Sequence, residues 1–312
     1  MRPARPLYAA MVLGALLLTG CGRTGDTPAT TSHSTPGSAP VTVQAANGPV
    51  TIPAKPGRIV ALSPTATEIL FAVGAGSQVV AVDDQSDHPA QAPRTKLSGF
   101  KPSAEAVIGY RPDLVVLSND TDGIVAALGK VKIPVLLEPS AVKLDDTYDQ
   151  ITDLGAATGH VAEAATLSAG MRRQIDQTVR ATRAAAPAGG SLTYYHELTN
   201  DLFTATSKTF IGQVYGLFGL RNVADAADKA GTGYPKLSRE ALITSDPSLI
   251  FLADTVCCGQ TPKTVAGRPG WQSLSAVKRG RVVALDDDIA SRWGPRLVDL
   301  VKAIGAAVQQ AA

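Results

Sequence analysis

Glu105-Ala-Val-Ile-Gly-Tyr-Arg-Pro-Asp-Leu-Val-Val-Leu117 returns further along the chain as Glu240-Ala-Leu-Ile-Thr-Ser-Asp-Pro-Ser-Leu-Ile-Phe-Leu252. Each copy reads as a short helix opening near Glu, a turn marked by Pro, and an unbroken apolar run of the kind that fills a buried parallel strand. A repeated helix-turn-strand phrase predicts one α/β lobe built twice. Clefts between such lobes are where small molecules bind.

Upstream of the first copy, Arg58-Ile-Val-Ala-Leu62 reads as a strand, Ser63-Pro64-Thr65 as the turn after it, and Thr67 to Val73 as a helix closed by Gly74-Ala-Gly76. Val79 to Val82 is the next strand, followed by the polar loop Asp83 to Pro89. Alternating strands and helices predict a parallel sheet, with ligands beyond the carboxyl ends of its strands. Upstream of the second copy, Ser191 to Tyr195 reads as a strand and Phe210 to Phe218 as a helix ending at Gly219. Gly219-Leu-Arg-Asn-Val-Ala also echoes Gly76-Ser-Gln-Val-Val-Ala, in the same order.

Between the copies, Asp145 to Arg183 consists almost wholly of good helix formers, weakened at Gly155, Gly159 and Gly170. One helix of that length spans roughly 60 Å, enough to join two lobes; the alternative is two helices packed together. The expected fold class is therefore α/β, two similar lobes with central parallel sheets joined by one long interlobe helix. Its expected segments are 57–142 for the N-terminal lobe, 143–185 for the connector and 186–312 for the C-terminal lobe.

The first 20 residues carry Arg2 and Arg5 and an apolar stretch from Leu7 to Leu18, the pattern of a secretory signal. Leu18-Thr19-Gly20-Cys21 resembles a bacterial lipobox, which makes Cys21 an acylation site and a membrane anchor. From 21 to 56 the chain is rich in Thr, Ser, Pro, Gly and Ala and reads as a lipidated flexible tether. With 312 residues, 45% of them apolar, the chain can bury the cores of two lobes. Loss of Arg2 and Arg5 brings 29 basic residues level with the 27 acidic ones, so no basic stripe points to nucleic acid.

The run Leu62-Ser-Pro-Thr-Ala-Thr-Glu-Ile-Leu70, the loop Asp83 to Pro89, the two Glu-to-Leu phrases and the ending Gly280-Arg-Val-Val-Ala-Leu-Asp286 resemble a known family. It is the periplasmic-binding family that delivers iron-siderophores and cobalamin to ABC importers. The resemblance runs from Arg58 to the C terminus and implies two lobes joined by a rigid helix. It also implies one exposed Glu on each lobe, at Glu105 and Glu240, that pairs with Arg residues of a permease driven by an ATPase. Val82-Asp-Asp-Gln-Ser-Asp-His-Pro89 looks more like cobalamin binders than siderophore binders, but Gln85 stands where an aromatic residue is common.

Loops at strand ends supply the expected ligand contacts: Ser63, Pro64, Asp84, Gln85, Phe100, Tyr195, His196, Arg292 and Trp293. Trp293, between Arg292 and Gly294-Pro295, is expected to be exposed. Cys257 and Cys258 form either a vicinal disulfide plate or two free thiols. No cofactor is expected, and the protein is expected to be a monomer. The rival readings are haem, with Tyr195 or His196 as iron ligand, and a metal, for which His88 and His196 lack a third imidazole. Catalysis finds little support: there is no Gly-x-Ser-x-Gly, and Gly123 to Gly129-Lys130 misses a phosphate loop by one residue. An envelope scaffold remains as a third class, and would need no paired Glu positions.

Overall fold

Strands Ile59–Leu62 and Thr193–Glu197 sit at matching places in two parallel sheets, and the rest of the fold is arranged around them. The computed structural model describes residues 39–185 and 192–312. The signal segment, Cys21 and the tether up to 38 lie outside the described residues.

The described chain opens with β1 (Val41–Ala45) and β2 (Gly48–Ile52), an antiparallel hairpin. The tether expected to run to residue 56 is therefore shorter. Alternation of Val41 and Val43 with Thr42 and Gln44, then Asn47-Gly48, is a hairpin signal that the small-residue composition concealed. Val43 and Ile52 bury into the main core. The Asn47 side chain donates to Val135 O at 3.0 Å and accepts from Leu137 N at 3.1 Å, which covers the free edge of a sheet.

The N-terminal sheet comprises β3 (Ile59–Leu62), β4 (Val79–Asp83), β5 (Arg94–Leu97), β6 (Leu114–Leu117) and β7 (Val135–Leu137). Its order is β5-β4-β3-β6-β7, all parallel. Helices α1 (Pro64–Ala72), α2 (Ala104–Ile108) and α3 (Ile124–Lys130) connect these strands. Next come α4 (Leu144–Thr158) and α5 (Val161–Ala185). The C-terminal lobe adds β8 (Thr193–Glu197), α6 (Phe210–Gly216), β9 (Arg221–Asn222), α7 (Arg239–Ser245) and β10 (Leu249–Leu252). It continues through α8 (Thr255–Cys258), α9 (Pro262–Ala266), α10 (Ser275–Lys278), β11 (Val282–Ala284), α11 (Asp287–Ser291) and α12 (Leu297–Ala311). Its sheet order β11-β10-β8-β9 repeats β7-β6-β3-β4; only β5 has no counterpart.

The expected single connector is a helical hairpin instead. Gly159 takes φ 73°, the left-handed conformation that ends α4, and His160 N bonds back to Gly155 O at 2.7 Å. α5 then runs back along α4, with Gly155 packed against Ala164 and Arg172 reaching Asp145 at 3.3 Å. At 25 residues, α5 spans about 37 Å.

Both sheets are buried on both faces. Ile59, Ala61, Leu114 and Val116 face one core, while Val60, Leu62, Val115 and Leu117 face another. In the second lobe, Tyr194, Leu249 and Phe251 join that same first core, and Tyr195, Ile250 and Leu252 face a third. The inner faces of the two sheets thus share one continuous core with α4, α5 and α12, which disfavours wide hinge motion.

Candidate functional site

The carboxyl ends of the two sheets meet. Arg292, beyond β11, donates to Gln85 O at 3.0 Å and to Asp87 at 3.1 Å, both beyond β4, and to Glu68 of α1 at 2.9 Å. It also bonds Asp288 at 2.6 Å, and Arg296 adds bonds to Glu68 of 3.1 and 2.7 Å. The Glu68 side chain is 2% exposed and that of Arg292 10%, so this ion cluster is largely desolvated. Burial pushes the Asp87 carboxyl up, but the Arg292 bond and charge hold it below the ordinary range. Asp288 is raised, first by burial, against the pull of Arg292.

This arrangement corrects two expectations. Arg292 was expected to contact ligand, yet its guanidinium is engaged by protein groups joining the lobes. Trp293 was expected to be exposed; its Nε1 donates to Gln150 Oε1 at 3.0 Å and its ring packs against the shared core. Gln150 itself binds Pro139 O at 2.6 Å, so the indole is fixed to the start of the connector.

Of the other N-terminal candidates, Ser63 is buried and caps α1 by accepting from Ala66 N at 3.4 Å, and Pro64 occupies the first helical turn. Both therefore serve the start of α1, with Ser63 4% exposed. Asp83 lies buried behind them, its carboxyl raised by burial, and a Cβ on Gly99 would meet Asp83 Oδ2 at 2.8 Å. Only glycine fits there, so Gly99 sets the course of the chain into Phe100. Asp84 is half-buried with Oδ1 unpartnered, Gln85 is exposed, and Phe100 is 73% exposed.

In the second lobe, Tyr195 and His196 are fully buried. Tyr195 meets Trp271 edge-on at 6.4 Å, and His196 Nδ1 lies 2.8 Å from Tyr215 Oη. Burial pushes the His196 pKa down to about 4, so the ring is neutral. Both were expected as ligand contacts, and in the rival haem reading one or the other as the iron ligand; both sit inside the sheet instead, because the strand extends two residues past the point where the sequence reading ended it. Among the described residues, no group of three or more His, Cys, Asp or Glu could hold a metal.

The true end of β8 is Glu197, which takes both guanidinium nitrogens of Arg268 at 2.6 Å. Asp254, just beyond β10, is buried with neither oxygen partnered; burial first, then the Glu197 charge, pushes its pKa up to about 7. Arg268 also lies 4.5 Å over the Trp271 ring. Sequence reasoning missed Glu68, Glu197, Asp254 and Arg268. A carboxylate just past the apolar run Leu249–Leu252 was the available signal for Asp254; Glu197, inside the polar strand Thr193–Glu197, carried none.

Around these carboxyl ends the second lobe leaves apolar side chains exposed: Val256 at 74%, Phe203 at 42%, and the adjacent Cys257 and Cys258, which are joined. Glu105 and Glu240 are exposed second residues of α2 and α7. Each follows a serine cap, with Ser103 accepting from Ala106 N at 3.3 Å and Ser238 from Ala241 N at 3.0 Å. The Glu240 carboxyl is lowered by its own backbone N–H and by Ser238. Both helices enter the equivalent strands β6 and β10. A crossover helix runs antiparallel to its strands, so both Glu residues lie toward the sheet ends where the lobes meet.

Residues 59–289 match the periplasmic binding protein family. The chain is 30% identical over 316 residues to an uncharacterized ABC transporter substrate-binding lipoprotein, YvrC, of Bacillus subtilis, covering 99% of this chain and 98% of that one. It is 31% identical over 278 residues to a cobalamin-binding protein of Halobacterium salinarum, covering 84% of this chain and 72% of the other. The fold is similar to that of the periplasmic vitamin B12 binding protein BtuF of Vibrio cholerae, with a TM-score of 0.67 at 24% identity over 82% of this chain and 98% of that one. Two repeated parallel-sheet lobes and a shared core agree with that match, and the chain belongs to the periplasmic binding protein family, as an extracytoplasmic transport substrate-binding protein and not an enzyme.

Proposed function

We propose that this protein captures a corrinoid outside the cell membrane and delivers it to the permease of an ABC importer. The observation that carries the ligand class is the 31% identity to a cobalamin-binding protein across 84% of the chain. Exposed apolar groups beyond the strands of both lobes, Phe100 on one side and Phe203 and Val256 on the other, suit a large flat ligand better than a small ion. Acylation at Cys21 holds the protein at the outer face of the membrane, as in the lipoprotein relative. Glu105 and Glu240 dock the two lobes on the permease, where paired carboxylates orient the encounter.

The test is titration of the soluble chain begun at Gly22 with cyanocobalamin, cobinamide, several ferric siderophores and haem, followed by Trp fluorescence and native mass. One corrinoid per chain, bound in the micromolar range or tighter (about −8 kcal/mol), is the expected result. Preference for a ferric siderophore would replace the ligand and keep the transport role. Failure of every ligand in the panel would remove the corrinoid reading.

A further inference from the structure

The segment from Asp254 to Gln260 is fixed from two sides while its tip remains uncovered. On one side Asp287 receives Thr255 N at 2.7 Å, Val256 N at 3.0 Å, Cys257 N at 2.7 Å and the Thr255 hydroxyl at 3.0 Å. Burial pushes the Asp287 carboxyl up, but these bonds hold it below its ordinary range. On the other side Gln260 N bonds Asp254 O at 3.2 Å, and the Gln260 side chain bonds Cys258 O at 3.4 Å. Arg268, already locked to Glu197, holds that same side chain at 2.7 Å. Gly259, at φ 66°, turns the chain between the two holds.

What this framework presents is three consecutive exposed residues of apolar character, Val256, Cys257 and Cys258, just past the carboxyl end of β10. An ordered loop that leaves such groups in water is offering them to something. The two sulfurs are joined in one ring, so two side chains that would otherwise rotate freely are held as a single face. Sulfur is polarisable and favours contact with conjugated ring systems. A face fixed before binding costs less to order than a flexible one.

We propose that the Cys257–Cys258 disulfide, with Val256, is the second lobe's ligand contact, a preformed sulfur-faced plate for one flat conjugated face of the corrinoid. This rests on the ligand class proposed above. Asp287 acts as a positioning residue: it touches no ligand and sets the plane of the plate. Phe100 is the exposed aromatic group of the opposite lobe.

The experiment compares cyanocobalamin and cobinamide affinities of the chain begun at Gly22 with those of Cys257→Ser/Cys258→Ser, Val256→Asp and Asp287→Asn, alongside melting temperature. Intact mass after maleimide treatment without reductant is measured on the unmutated chain. The expected results are no maleimide adduct and about tenfold weaker binding in the double serine and Val256→Asp variants, with melting little changed. Asp287→Asn should weaken binding severalfold, which a merely structural disulfide would not predict. Two adducts on the native chain, or binding by both the serine and Val256→Asp variants within twofold of the unmutated chain, overturns the plate while leaving the corrinoid reading intact. Val256 supports the loop only through its backbone N–H, which substitution keeps, and the residue is 74% exposed, so its variant keeps the test decisive if the serine variant unfolds. If the unmutated chain binds no corrinoid, the ligand class falls and the plate falls with it.

Discussion

Two buried ion clusters lie near the carboxyl ends of the strands, one at the seam between the lobes and one within the second lobe, and they handle the same imbalance differently. At the seam between lobes, Glu68, Asp87 and Asp288 surround Arg292 and Arg296; within the second lobe, Glu197 and Asp254 share Arg268. Each cluster has one carboxylate more than it has guanidiniums. At the seam the excess is borne by Asp87 and Asp288, whose side chains are 45% and 34% exposed and remain solvated. In the second lobe the excess falls on buried Asp254, which takes up a proton near pH 7. Solvent access, and not charge count, decides which cluster is sensitive to pH.

The sharpest way to break this comparison is to remove the central carboxylate of each cluster. Glu68→Gln takes the most buried carboxylate from two mostly buried guanidiniums, leaving Arg296 only the partly exposed Asp288 at 3.9 Å, and should cost about 3 kcal/mol, read as a lowered urea midpoint. Glu197→Gln should cost clearly less, because Asp254 can release its proton and become the counter-charge of Arg268. Equal costs would mean that the second cluster has no such reserve.

A smaller effect is expected from pH. The folded pKa of Asp254, about 7, lies above the ordinary value of 3.8, so between these values the folded protein holds a proton that the unfolded chain has lost. Its contribution is present at low pH and is lost as pH rises toward 7, by about 2 kcal/mol between pH 5 and pH 7. Asp254→Asn should remove this part of the decline between pH 5 and pH 8. His196 acts in the opposite direction: its folded pKa of about 4 lies below 6.5, so stability is lost as pH falls through that window. If the asparagine variant keeps the full alkaline decline, the excess charge lies elsewhere, and Glu138, raised to about 8 by burial, is the next group to replace.

Where the lobes are alike, the comparison predicts shared function. Glu105→Ala/Glu240→Ala should leave corrinoid affinity within twofold and reduce cellular uptake about tenfold, equivalent to about 1.4 kcal/mol. Normal uptake by the double variant would reduce the matched pair to helix-start residues favoured by the dipole.

These outcomes also mark how far the sequence could be read. The repeated phrase foretold the interior strands β6 and β10 and the helix starts that carry both Glu residues, because burial on two faces forces apolar runs and a serine cap with an early Glu is a local preference. The ion clusters were not legible: Arg292 and Glu68 are separated by 224 residues, and nothing local to a charged side chain names its partner. Tyr195 and His196 were misplaced by a strand end set two residues early, which alternation in so polar a strand does not fix. Hairpin β1–β2 was hidden by small residues, although Asn47-Gly48 carried the turn chemistry.

Gly159 gives the smallest effect and the clearest sign. In one uninterrupted helix from Asp145 to Arg183, Gly159→Ala would stabilise by about 1 kcal/mol, since Ala is the better helix former. In the helical hairpin, the residue sits at φ 73°, where a Cβ costs about 1 kcal/mol, and that Cβ would also meet Lys55 Cδ at 3.2 Å. The lysine tail can yield, so the backbone term sets the result, and a lowered melting temperature is expected. A raised one would mean that the connector runs straight in solution, and that the two lobes are joined by a longer rod than the hairpin allows.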